Sequence, residues 1–240
     1  MFPNVVHKVE SALENAKISS DEKDEMNYVV SLAKKRMEAW KAHLLRSINQ
    51  DETRLDVLRN LDAYSVLLVL DWAMKYLPRK YRESETDWFG KRGISWHITM
   101  ATRIIEGQPQ MLSFVHVFQS CNQHSVTVLA IVDDVLKQLK STMPNVNSVH
   151  FRQDNAGCYH SASTILAIRQ VSKKYDINVR LDFSDPQGGK GSCDRKGATL
   201  KNHMRINSGQ DVETPEQMKN AIESSGGMPG VRGYAVRHIE

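Results

Sequence analysis

The chain has 240 residues, of which 40% are apolar and 25% are charged, and its formal net charge is +4. This composition excludes a low-complexity or largely disordered protein and leaves room for one domain of ordinary size with an appendage. The mild positive charge is compatible with a polyanionic partner, but it is far from that of a histone-like protein.

The cysteines and the lengths of the apolar segments indicate where in the cell the protein is located. The three cysteines, Cys121, Cys158 and Cys193, contain no Cys-x-x-Cys pair and indicate reduced thiols. The N-terminus lacks the continuous apolar segment of a secretory signal. The apolar run Val66–Leu70 has five residues and is too short to cross a bilayer. We therefore expect a nuclear or cytoplasmic protein that is neither secreted nor bound to a membrane.

Residues 1–62 are rich in charge and helical in pattern. Ser19 and Glu22 have the spacing of a capping box, and apolar residues at helical spacing follow as far as Leu45. A second, shorter helix is expected from Asp51 to Leu61. We interpret residues 1–62 as a helical arm packed against the domain that follows.

The pattern changes at Tyr64. The short apolar segment Tyr64–Asp71 predicts a strand buried on both faces. Ile94–Ile105 and Met111–Gln119 alternate with a period of two, which predicts half-buried strands. These three strands are expected to be antiparallel. His97 lies on the polar side of its strand, as a surface histidine or as a proton or phosphate partner of a nearby site.

The rest of the chain alternates between helices and strands. We expect helices at Ser125–Lys140, Ser161–Tyr175 and Cys193–Ile206, and strands at Ser148–Gln153 and Asn178–Phe183. The core domain is assigned to residues 63–210, and residues 211–240 are expected to form a C-terminal helix and tail.

Three aspartates follow predicted strands or loops in this core. Asp71 ends the first strand, Asp154 begins the motif Asp-Asn-Ala-Gly, and Asp194 follows a Pro-Gln-Gly-Gly loop, 40 positions later (194 − 154). An isolated aspartate after a strand is usually a turn former or a helix cap. Three in this order favour a shared metal site. Asp182 and Asp185 are alternatives for the third position.

The order of elements and these motifs resemble the ribonuclease-H-like catalytic cores of retroviral integrases and DDE/DDD transposases, over residues 64–207. The resemblance implies an α/β fold with a mixed five-stranded sheet and helices on both faces. It also implies that Asp71, Asp154 and Asp194 are catalytic and hold two Mg²⁺ or Mn²⁺ ions. This chain departs from the pattern in having an extra residue before the motif's glycine and Asp in place of Glu at the third acid.

The loop between the first two strands combines cations with aromatic residues, which suits phosphate contact and base stacking. The alternative is that its rings bury the loop against the sheet. Further cations surround the third acid. The candidate nucleic-acid-binding residues are Lys75, Arg79, Lys80, Arg82, Lys91, Arg92, Lys190, Arg195 and Lys196.

The function expected from these features is cleavage or joining of DNA phosphodiesters by a two-metal mechanism. One alternative is a nuclease on the same fold that only hydrolyses. Another is a mobile-element-derived protein that binds nucleic acid or partners without catalysis. A zinc site built from Cys158, His160 and Cys193 has no standard spacing and is disfavoured. A homo-oligomer is left open.

Overall fold

The computed structural model describes residues 2–78, 82–90, 92–119, 121–184, 191–207 and 212–236. It divides into two units, Met1–Thr53 and Arg54–Glu240. No helix in the described part of the chain combines the length and the apolar character needed to cross a membrane.

The first unit is helical, as the sequence predicts, with α1 at Phe2–Glu14 followed by α2, which covers Ser20–Arg59. The predicted capping box is confirmed, because the Glu22 N–H donates to the Ser19 hydroxyl and the Ser19 N–H donates to the Glu22 carboxylate. The prediction of a separate helix from Asp51 is wrong. No glycine or proline interrupts residues 46–53, so the helix continues through them.

The second unit is built on one mixed sheet. Its strands are β1 (Ser65–Tyr76), β2 (Ile94–Ile105), β3 (Gln108–Phe118), β4 (Ser148–Asp154), β5 (Asn178–Ser184) and β6 (Val231–Val236). They lie in the order β5-β4-β1-β2-β3-β6. β1, β2 and β3 are antiparallel, while β4 and β5 run parallel to β1. This is the ribonuclease-H-like sheet that the sequence predicts, with an additional sixth strand.

Helices cover both faces of the sheet, as expected. The helices of this unit are α3 (Glu85–Gly90), α4 (Ser125–Thr142), α5 (Gly157–His160), α6 (Ala162–Lys174), α7 (Ser192–Asn207) and α8 (Pro215–Glu223). One core packs α4 and α6 against residues such as Leu68 and Leu70 of β1. The other packs α7 and α8 against residues such as Trp96 and Ile98 of β2.

β2 is more deeply buried than its alternating pattern predicts. Residues 94–102 are all buried, including His97 at 0% exposure, so a surface position for this histidine is wrong. The polar side chain of His97 forms a hydrogen bond inside the protein. The His97 ring Nε2 lies 2.9 Å from the Tyr159 hydroxyl. Buried polar groups paired in this way do not incur the full cost of desolvation.

The C-terminal region contains the predicted helix, α8, but also a strand that the sequence analysis did not predict. β6 pairs in parallel with β3, and the Ser113 N–H donates to the Gly230 carbonyl at the start of this pairing. Gly230 has φ of +72°, and a Cβ there would lie 2.6 Å from the Met111 carbonyl oxygen. Glycine is therefore required for the chain to enter the edge of the sheet.

Gly230→Ala should destabilise the fold by more than Gly107→Ala, as measured by urea denaturation. Gly107 also has a positive φ, +76°, but a Cβ there would meet nothing within 4 Å. Gly107→Ala should therefore cost only the backbone strain, about 1–2 kcal/mol. Gly230→Ala should cost a further ~1–3 kcal/mol from the steric conflict. Equal losses in the two variants would contradict the close approach at Gly230.

Candidate metal centre

The pairing of β1 with β4 places two carboxylates side by side. Ser65 lies opposite Ser148, and the offset of 83 (148 − 65) is kept through Val69 opposite Arg152. Asp71 and Asp154 each lie two residues beyond this paired stretch, and continuing the same offset would place them abreast (71 + 83). Residues abreast on neighbouring strands point to the same face, and the strands are about 4.8 Å apart. The sheet therefore places these two carboxyl groups near each other, as the contribution of Asp154 to the pKa of Asp71 also indicates.

The third aspartate comes from the first turn of α7. Cys193, 3% exposed, donates its thiol to the carbonyls of Val69 (3.3 Å) and Ile98 (3.5 Å), which fastens this turn over β1 and β2. Gly197 allows the helix to approach closely, since a Cβ there would lie 3.3 Å from Ile98 Cδ1. Asp194 follows Cys193 directly.

Asp71 and Asp194 line the same small cavity, which has a volume of about 170 Å³. Apolar groups, including Trp96 and Ile98, form much of its wall. The Trp96 indole N–H donates to the Met74 carbonyl at 2.8 Å, and the Lys201 ammonium lies 5.6 Å from the centre of the Trp96 ring. The cavity is therefore lined by two acidic side chains, one lysine and several apolar groups.

The acids interact electrostatically. Burial raises the pKa of Asp71 to about 6, and the negative charges of Asp194 and then Asp154 contribute to this rise. Asp182, the alternative third acid on β5, is not among the causes of the shift. The coupling therefore favours Asp194 as the third member of the cluster. Asp185 lies outside the described residues.

Two of the carboxylates also accept local backbone hydrogen bonds. Asp154 Oδ1 accepts from the Ala156 N–H at 3.0 Å, and Asp194 Oδ2 accepts from the Gly191 N–H at 3.3 Å. Across the described residues, no three His, Cys, Asp or Glu side chains are grouped closely enough to hold a metal ion. The carboxylates therefore lie near one another but are not arranged as a finished ligand cage. Side-chain rotation would have to complete such a cage.

The zinc alternative finds no support. Cys193 is engaged with backbone carbonyls, and the His160 ring packs edge-on against Phe183 at a centroid distance of 4.8 Å. Burial, followed by the charge of Asp154, raises the pKa of Cys158, which disfavours the thiolate that zinc requires.

A buried hydrogen bond supports the Asp154 loop, and the sequence analysis missed it. Tyr159, 1% exposed, lies in α5 just after the loop and bonds to His97 in β2. Burial, followed by the charge of His116, lowers the pKa of His97 well below its ordinary value and so favours the neutral ring. Trp72, next to Asp71, contacts the His97 ring edge-on at 5.0 Å between centroids. No local sequence signal identifies this pairing, because its partners are 62 residues apart.

The candidate nucleic-acid-binding residues are only partly within the described structure. Lys75, Arg82, Arg92 and Arg195 are exposed, and Lys196 is half-buried. Arg79, Lys80, Lys91 and Lys190 lie outside the described residues. The loop's rings are not all turned inward: Phe89 is 78% exposed, whereas Tyr76 packs against the α7 side of the core.

Asp71→Asn should stabilise the metal-free protein at pH 7. The folded state raises the pKa of Asp71 from 3.8 to about 6, so ionising this group costs stability as the pH rises through that interval. Removing the charge should recover about 1–2 kcal/mol, after allowance for the partial exposure of the side chain. Urea denaturation at several pH values measures this gain, which should disappear below pH 3.8.

Asp182→Asn is the matched control, because this acid lies on the same sheet without contributing to the pKa of Asp71. It should change the free energy of unfolding little between pH 4 and pH 7. A loss of stability in Asp71→Asn at pH 7, or a gain that does not vary with pH, would contradict the electrostatic coupling.

The chain is similar to two solved catalytic proteins. One is the catalytic core domain of BIV integrase, with 14% sequence identity, a TM-score of 0.35, and coverage of 72% of this chain and 91% of that one. The other is the Mos1 transposase in a paired-end complex with the left transposon end, with 13% identity and a TM-score of 0.32. That match covers 72% of this chain and 57% of the transposase.

No curated protein matches the sequence. A family model does match, over residues 50–227, and it is described as "Domain of unknown function (DUF8701)". This span includes β1 to β5, α8 and all three aspartates of the candidate metal centre. The chain therefore belongs to the DUF8701 family.

Proposed function

We propose that this chain is a metal-dependent polynucleotidyl transferase or nuclease of the DDE/DDD transposase–integrase type, which cleaves or joins DNA phosphodiesters. The observation that supports the proposal is that Asp71 shares a cavity with Asp194 and is coupled electrostatically to both Asp194 and Asp154. Asp71 and Asp154 lie on neighbouring strands, each two residues beyond the last paired residues Val69 and Arg152, and Asp194 lies in the first turn of a helix anchored to the sheet.

The chemistry of the donor set fits Mg²⁺ or Mn²⁺. Carboxylate oxygens are hard ligands, and these ions keep several waters rather than requiring an all-protein cage. Burial raises the pKa of Asp71, and the negative charges of Asp194 and Asp154 add to the rise; a cation would offset their contribution. Asp71, Asp154 and Asp194 would hold two such ions. Bound ions of this kind supply an activated nucleophile and stabilise the leaving oxygen of a phosphodiester.

The chain's own cations would orient the substrate. Arg195 and Lys196 directly follow Asp194, and the Lys201 ammonium lies at the cavity that Asp71 and Asp194 share. Cations at these positions would contact phosphates on either side of the scissile bond. The buried Trp96 ring forms part of the apolar wall of this cavity.

A second candidate is a protein that keeps this fold and binds DNA without catalysis. One observation favours it: in the described parts of the chain, the acids are not already arranged as a metal-binding group. A nuclease that only hydrolyses would use the same acids. For either function we propose a nuclear or cytoplasmic location, where a DNA or RNA substrate is available.

Millimolar Mn²⁺ or Mg²⁺ should raise the melting temperature of the wild type, because an ion that binds only the folded state stabilises it. The free energy of unfolding rises by about 2.7 kcal/mol when the ion concentration is 100 times its Kd. Asp154→Asn should abolish most of this gain and should eliminate Mn²⁺-dependent nicking of supercoiled DNA. Differential scanning calorimetry and a gel assay measure the two effects.

Asp176→Asn is the control for the loss of one negative charge. Asp176 is exposed in the turn before β5, and its φ of +52° suits asparagine. This variant should keep both the thermal response to metal and the nicking. Equal nicking by wild type and Asp154→Asn would refute the catalytic assignment, whereas DNA binding without nicking by either would establish the non-catalytic function.

DNA binding through the β1–β2 loop should depend on salt. The double variant Lys75→Ala/Arg92→Ala removes two exposed cations. If both contact phosphates, the slope of log K against log salt should become shallower by about 2, since each phosphate contact contributes about 0.9. Fluorescence anisotropy with a short duplex measures the slope. Lys173→Ala, on the exposed side of α6, should leave it unchanged, and an equal effect of both changes would argue against a specific role for the loop.

A further inference from the structure

Three hydrogen bonds in series connect β2 with the carboxylate of Asp154. The Tyr159 hydroxyl lies 2.9 Å from His97 Nε2, and the Tyr159 N–H donates to the Ala156 carbonyl at 2.9 Å. The Ala156 N–H in turn donates to Asp154 Oδ1 at 3.0 Å. The series therefore links the direction of this carboxylate to a side chain two strands away, since β1 lies between β4 and β2.

The His97 end of the series is enclosed by the core. His97 is 0% exposed and Tyr159 is 1% exposed. The Trp72 ring contacts the His97 ring edge-on, and the Thr99 hydroxyl lies 3.4 Å from His97 Nδ1. The low pKa of His97, caused first by burial, favours the neutral ring. A neutral ring protonated at Nδ1 can accept the Tyr159 O–H at Nε2, so the hydroxyl has a fixed partner.

The same part of β2 also positions the other two acids. Asp71 lies opposite Ile98 in the pairing of β1 with β2. The Cys193 thiol, in the helical turn that carries Asp194, donates to the Ile98 carbonyl at 3.5 Å. Through Tyr159, the segment that follows the remaining acid is bonded to the residue directly before Ile98. One short stretch of β2 is thus a common reference for the elements that carry all three acids.

We propose that Tyr159 and His97 are positioning residues of the candidate metal centre, which hold the Asp154 carboxylate where it can share a divalent cation with the other two acids. This role rests on the proposed function, because it concerns the same site. Neither side chain touches the ion or the substrate. Each acts through the Ala156 amide, which bonds to the carboxylate. Removal of a group that orients a metal ligand typically weakens metal binding about 10–100-fold.

Tyr159→Phe tests the proposal, because it removes the hydroxyl and keeps the ring. Isothermal titration calorimetry, at a temperature where the variant is folded, should give an Mn²⁺ Kd about 10–100-fold above that of the wild type. Nicking of DNA should recover at saturating Mn²⁺, since the three acids are intact. Tyr175→Phe is the matched control. The Tyr175 hydroxyl donates to Asp133 Oδ1 at 2.9 Å, between the end of α6 and α4, and its loss should leave the Mn²⁺ Kd unchanged.

A double variant separates positioning from fold stability. Tyr159→Phe leaves His97 Nε2 buried without its partner, which destabilises the fold, whereas replacing both partners by apolar groups removes that penalty. Tyr159→Phe/His97→Leu should therefore melt closer to the wild type than Tyr159→Phe does, yet it should still bind Mn²⁺ weakly. A double variant that regains the wild-type Kd would overturn the proposal, because fold stability alone would then determine the affinity.

Hydrogen exchange of the Ala156 amide, followed by NMR without metal, reports on the series directly. It should be faster in Tyr159→Phe than in the wild type or Tyr175→Phe. If Tyr159→Phe fails to fold, the double variant replaces it in both measurements.

Unchanged exchange, or an unchanged Mn²⁺ Kd in Tyr159→Phe when the wild type binds Mn²⁺ through Asp154, would overturn the positioning role and leave the proposed function standing. A wild type that binds Mn²⁺ no more tightly than Asp154→Asn would overturn the proposed function, and this role with it.

Discussion

The parallel pairing of β1 with β4 is the constraint on which the rest of the site depends. It places Asp71 and Asp154 on neighbouring strands, each two residues beyond the last paired residues, Val69 and Arg152. Two carboxylates at this separation repel each other, and α7 brings a third. Burial, followed by the charges of Asp194 and Asp154, raises the pKa of Asp71. A protein that only needed to fold would gain stability by losing one of these charges.

Buried contacts hold the charges together against this repulsion. The Cys193 thiol fastens the start of α7 to the backbone of β1 and β2, and Gly197 lets that helix lie close to the sheet. On the opposite face, the Tyr159–His97 hydrogen bond ties the segment after Asp154 to β2. The contacts of Cys193 and Gly197 act on the helix that carries Asp194, and the Tyr159–His97 hydrogen bond acts on the segment after Asp154. Fold stability is thus used to maintain an unfavourable cluster, which is typical of functional sites.

Much of the fold could be predicted from the sequence, because β1 to β5 each have a local apolar or alternating pattern. Asp71 and Asp154 could be singled out because each ends an apolar or alternating run of the sequence, but the prediction that Asp71 ends its strand is wrong, since β1 continues to Tyr76. β6 escaped prediction because Val231–Val236 is short and contains Gly233, and its pairing depends on a glycine turn rather than on its own pattern. Burial of His97 and the presence of Asp71 and Asp154 on neighbouring strands arise from long-range pairing, which local periodicity does not encode.

The most direct measurement of the central claim is a crystal structure of the protein grown with Mn²⁺, with diffraction recorded near the manganese absorption edge. The account predicts anomalous peaks between the carboxylates of Asp71, Asp154 and Asp194, with one side chain rotated from its metal-free position to complete the coordination. Two ions should lie about 4 Å apart. Anomalous density absent from this site at saturating Mn²⁺, or found only elsewhere in the protein, would contradict the assignment of these three aspartates as a metal centre.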